Sequence, residues 1–126
     1  MSFTNYLETE ILDHVFGGAA YSAPGTLYVG LFTSAPGEAG GGVEVSGGGY
    51  VRQSAAFTVT GNTASNNASI EYPTATASYG TVTHVGIFDA ASGGNLMAYA
   101  SLTASKAIDT GDVFRIPTGD LDITLD

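Results

Sequence analysis

The chain has 126 residues, 44% of them hydrophobic, enough to bury a core without covalent staples. Lys and Arg total 3 against 12 Asp and Glu, and the formal charge of −9 opposes contact with phosphate backbones, so nucleic acid is not an expected partner. The absence of cysteine excludes disulfides, thiolate metal sites and a cysteine nucleophile.

The opening Met1-Ser2-Phe3-Thr4-Asn5 carries neither a basic region nor an apolar run. No signal peptide, membrane span or membrane partner is therefore expected. Only 12% of residues are charged, a lean count that fits a surface partly covered by a partner. The whole of residues 1–126 is expected to form a single β domain.

Residues 4–16 are predicted to form the one helix, with Tyr6 and Leu7, Ile11 and Leu12, and Val15 and Phe16 in an apolar stripe at helical spacing. Asn5 followed by Glu8 has the form of a capping box, His14 lies near the negative end of the dipole, and Gly17-Gly18 is a natural stop. Beyond it the chain alternates strand and turn. Thr26 to Thr33 places Leu27, Val29 and Leu31 on one face before Ala35-Pro36-Gly37 interrupts the run. Residues 37–49 form a long glycine-rich loop, and its lack of a Gly-Lys-Ser/Thr ending argues against a phosphate cradle.

Tyr50 to Thr60 is the next expected strand, with Val51, Ala55, Phe57 and Val59 on one face, and Ser69 to Tyr72 another. Gly80 to Phe88 and Leu96 to Leu102 then form an apolar hairpin around Ser92-Gly93-Gly94-Asn95, with both faces expecting cover. Its Val85-Gly86-Ile87-Phe88 repeats Val29-Gly30-Leu31-Phe32. Glycine weakens a strand, so two on the same register imply that a neighbouring ring or backbone approaches closely. Val113 to Ile116 and the strictly alternating Asp120 to Asp126 close the set. The resulting fold class is mainly β, an antiparallel β-sandwich or jelly-roll-like barrel with one N-terminal α-helix.

Residues able to carry chemistry are few and poorly placed for it. His14 and His84 lie at a helix end and on a strand face, and Ser92, His84 and Asp89 lack the strained elbow of a nucleophilic serine. Asp109, Asp112, Asp120 and Asp122 do not match a calcium loop, and Glu8, Glu10 and Asp13 lie on the solvated side of a helix. No catalytic residue, cofactor or metal is expected, and the chain is not expected to be an enzyme. Arg52 and Arg115 stand out by scarcity, each suited either to a partner carboxylate or to an internal ion pair.

Asn5-Tyr6-Leu7-Glu8, Leu12 to Phe16, Pro24 to Thr33, Glu44 to Gln53, Gly80 to Asp89 and Leu121 to Leu125 together resemble, in collinear order, a family of small virion proteins of tailed bacteriophages. The family is labelled tail-fibre-like, and similar small β proteins decorate phage heads. The resemblance implies a structural virion protein, assembled in the host cytoplasm, with no enzymatic residues to carry over. The first expectation is a head decoration (cement) protein, a homotrimer bridging subunits of the major capsid protein. The alternative is a tail or tail-fibre component that contacts a host glycan through Tyr79 or Tyr99, and a free-standing carbohydrate-binding module is a third possibility. Burying area on several neighbours at once would stabilise a shell by linkage alone. The expected interface residues are Phe3, Tyr6, Gly40, Gly41, Gly42 and Arg52, with other virion subunits as partners.

Overall fold

A computed structural model of the chain describes residues 1–125, so Asp126, the last residue of the expected 120–126 strand, lies outside the described residues. β1 (Ser2–Phe3) leads into α1 (Asn5–Val15), followed by β2 (Leu27–Ser34), β3 (Val43–Glu44), β4 (Gln53–Ala55), β5 (Phe57–Thr60) and β6 (Thr63–Asn66). Then come β7 (Ile70–Glu71), β8 (Gly80–Phe88), β9 (Leu96–Ile108), β10 (Arg115–Ile116) and β11 (Asp122–Thr124). The main sheet runs β1-β9-β8-β2-β3, with β4 also on β2, and smaller sheets pair β10 with β7 and β11-β6-β5. All strand pairings are antiparallel. The fold is mainly β with one helix near the N-terminus, and the described sheets do not close into a barrel.

The core lies between the main sheet and the smaller ones. Val29 and Leu31 of β2 and Val85 and Ile87 of β8 meet Ile70, Tyr72, Phe114, Ile116 and Leu121 there, with Phe57 and Ile123 packed against them. The opposite face of β2 and β8 carries Gly30, Phe32, Gly86 and Phe88. Gly30 and Gly86 are direct partners in the β2–β8 ladder.

A Cβ on Gly86 would sit 2.8 Å from the Phe32 ring and 2.6 Å from Leu96 Cδ1, and one on Gly30 would sit 2.9 Å from the Phe88 ring. Each glycine thus makes room for the aromatic of the other strand, which is the close approach that the repeated Val-Gly-x-Phe pattern implies. Phe32 and Phe88 stack with centroids 6.0 Å apart.

Several expected boundaries move, each for a local reason. The helix spans Asn5–Val15 rather than 4–16, with Thr4 at the N-cap. No capping box forms, because Asn5 is already helical and the Thr4 hydroxyl instead donates to Leu96 O at 2.6 Å across the β1–β9 junction. The 37–49 stretch is not plain loop: Gly37 and Gly40 bridge each other and Val43–Glu44 pairs with β2. The 50–60 strand divides into β4 and β5, leaving Val51 and Val59 exposed.

The second arm of the hairpin runs on to Ile108. Its register with β8 shifts between Val82/Lys106 and His84/Ser101, and the irregularity turns Val82 into the core alongside Val85. The final strand contracts to Asp122–Thr124, with Leu121 buried and Leu125 exposed.

The glycine–aromatic fit generates a stability prediction. Gly86→Ala should cost about 2 kcal/mol by overpacking, whereas Gly25→Ala, with nothing within 4 Å of the added methyl, should be close to neutral. Urea melts of the two variants check this, and equal midpoints would contradict the packing account.

Candidate functional site

A groove of about 490 Å³ opens on the Phe32/Phe88 face of the main sheet. The start of α1 forms one wall, through Thr4, Asn5 and Tyr6, and the Glu38–Gly42 turn forms the other. Gly40, Gly41 and Gly42 all have positive φ, and at Gly42 a Cβ would lie 2.7 Å from Pro36 N, so the turn folds back on itself as only glycine permits. Two hydrogen bonds fasten this wall: Asn5 N–H donates to Glu38 O at 2.9 Å, and Tyr99 OH donates to Glu38 Oε1 at 3.1 Å.

Arg52 closes the floor of the groove. Its guanidinium lies 3.4 Å above the Phe88 ring centroid, stacked by cation–π attraction, and its side chain is only 8% exposed. Nε donates to Glu44 Oε2 and Nη2 to Glu44 Oε1, both at 2.8 Å, a bidentate pair. Nη1 donates to Ala90 O at 2.9 Å and Gly93 O at 2.8 Å, clamping the β8–β9 turn.

Glu44 also accepts from Tyr50 OH at 2.6 Å, and that phenol oxygen accepts from Leu31 N–H at 2.9 Å. β4 pairs with β2 as far as Val29, and the pairing of β3 with β2 begins at Phe32. Tyr50 therefore satisfies a backbone donor in the gap between two edge strands.

Burial would raise the Glu44 pKa, but hydrogen bonds from Arg52 and Tyr50, with the Arg52 charge, outweigh it and hold the carboxyl below its ordinary range. Burial and the bond to Glu44 push the Tyr50 phenol well above its ordinary value, so it stays a donor. Asp89 behaves like Glu44: burial acts upward, yet bonds from Asn95 N–H at 2.7 Å and Asn95 Nδ2 at 2.9 Å lower its pKa. It organises the hairpin turn.

Of the six expected interface residues, Tyr6, Gly40, Gly41, Gly42 and Arg52 line this groove, while Phe3 sits half-buried on β1 opposite Ala98. Of the two uses open to Arg52, the internal ion pair is the one formed. Tyr79, expected to be available to a glycan, is buried, and its hydroxyl donates to Pro73 O. Tyr99 is half-buried and engaged with Glu38. His84 lies beside the Thr83 hydroxyl at 2.8 Å, and Asp112 accepts from Asp109 N–H within a turn.

Sequence reasoning missed Glu44, Tyr50 and Phe88 as parts of one assembly. The available signal was an acid eight residues before the chain's scarcest charge type.

The family model described as Podophage GP4 fiber I protein gp80 matches residues 2–124. No curated protein matches the chain.

The network predicts two outcomes. Arg52→Met should destabilise the fold by about 3 kcal/mol, since it leaves the partly buried Glu44 carboxylate without its cation. A glutamate whose folded pKa is depressed stabilises fully above the unfolded value of 4.5, and the gain is lost as pH falls through the lower folded value. The stability gap between the wild type and Glu44→Gln should therefore shrink below pH 4.5. Urea melts at neutral and acid pH check both, and a pH-independent gap would contradict the charge assignment.

Proposed function

We propose that this chain, which belongs to the podophage GP4 fiber I protein gp80 family, is a non-enzymatic structural subunit of the virion's fibre. The observation that carries the reading is the match across residues 2–124 to a family described as a fibre protein. That description favours the tail-fibre alternative over head decoration.

The most polar assembly of the groove, Arg52 with Glu44 and Tyr50, is held by internal bonds that fix shape, and Asp89 fixes the adjoining turn. Tyr6 and the Gly40–Gly42 wall form a rigid, fastened rim for a neighbouring virion subunit. The chain assembles in the host cytoplasm as a homo-oligomer, a trimer in this proposal, without nucleic acid or membrane. Its charge of −9 steers it towards basic surfaces on neighbours.

Phage particles carrying an epitope-tagged copy, imaged with a gold-labelled antibody, test the assignment. Label along the fibres is expected, and label spread over the head shell would overturn it in favour of a decoration protein.

A further inference from the structure

α1 packs against β9 and β1 yet has no buried residue. Tyr6, Leu7, Glu10 and Ile11 are half-buried and face the sheet. The positions that helical spacing places on the other side, Glu8, Leu12, Val15 and the C-cap Phe16, form an outward ridge. Leu12 is 58%, Val15 61% and Phe16 82% exposed. Three large apolar side chains adjoining on one short helix is the kind of surface that a partner covers.

Charge narrows the partner. Glu8 lies within the ridge and Asp13 beside it, so laying this helix against its own copy would bring like charges together. The complement must be apolar and cationic. This chain has only three Lys and Arg residues, and Arg52 is enclosed by its own fold.

Arg115 and Lys106 are exposed, and neither forms an ion pair among the described residues. Arg115 stands opposite Glu71 in the β7–β10 ladder without bonding to it. In the extended segment 113–116, Phe114 and Ile116 turn into the core, while Val113, 45% exposed, and Arg115 share the outer side. Arg115 pairs with neither Glu71 nor the nearby Asp112, whose carboxylate accepts from Asp109 N–H, so an apolar residue beside an unpaired cation is the counterpart offered to the ridge.

We infer that the Leu12–Val15–Phe16 ridge of one copy docks on the Val113/Arg115 surface of a second copy, with Glu8 meeting Arg115. This names the surfaces of the self-association proposed above and rests on that reading. α1 starts on the groove face of the main sheet, whereas Val113 and Arg115 belong to the layer across the core, so the contact joins two different surfaces. Such a head-to-tail contact closes into a ring or extends along an axis, according to the rotation between copies.

Sedimentation velocity over a concentration series tests the pairing on the full chain, with circular dichroism reporting that each variant is folded. The wild type should self-associate. Phe16→Asp, at a position outside the core, should weaken association about tenfold or more. Glu8→Lys and Arg115→Glu should each weaken it, and the double variant should recover most of the loss. A monomeric wild type would overturn the self-association reading and this inference together. An oligomer indifferent to Phe16→Asp, or a double variant no better than the singles, would overturn this inference alone.

Discussion

The packing of two glycines against two aromatics across the β2–β8 ladder is the constraint on which the rest of the structure depends. With no Cβ at Gly30 or Gly86, Phe32 and Phe88 lie down on the sheet, and their stacked rings form a flat apolar floor. A guanidinium can then settle on that floor. Arg52 does so, and its remaining donors reach the β8–β9 turn and Glu44 of β3. Two regions some forty residues apart, 44–52 and 88–93, thus meet on one side chain, and a substitution at either glycine would act on both.

An ion pair this enclosed forms at the expense of hydration, and geometry decides whether it stabilises the fold. Here the pair is bidentate, the cation is stacked, and the carboxylate takes a further bond from Tyr50, so the main polar groups find partners. The same Tyr50 ring stacks on Tyr72 at 6.0 Å and meets Tyr79 edge-on at 5.8 Å. One residue therefore couples the polar groove face to the apolar core, joining the two faces of the main sheet into one mechanical unit.

These features suit the proposed structural role. The groove is held in shape by Glu38 bonds at a wall and by the Arg52 clamp at the floor, while apolar surface is left outward on α1. A fibre subunit has to hold its shape and offer contact surface, and the fold concentrates rigidity and exposure in different places. The acidic balance sharpens this division, because Lys106 and Arg115 are the only exposed Lys or Arg side chains among the described residues.

Patterns that depend on neighbouring residues were legible in the sequence. Period-two alternation marked β2, the hairpin and much of the β content, helical spacing placed α1 to within a residue at each end, and the paired Val-Gly-x-Phe motifs announced a close approach by a ring or a backbone. Covalent geometry makes those periods local, so a single chain read in order displays them. The partner of Arg52, the irregularity that turns Val82 into the core, the capture of the Thr4 hydroxyl by Leu96, and the outward turn of Leu12, Val15 and Phe16 were decided only by the tertiary structure. Each depends on strand register or on which face another element covers. Those follow from the packing of residues far apart in the chain, on which local periodicity carries no information.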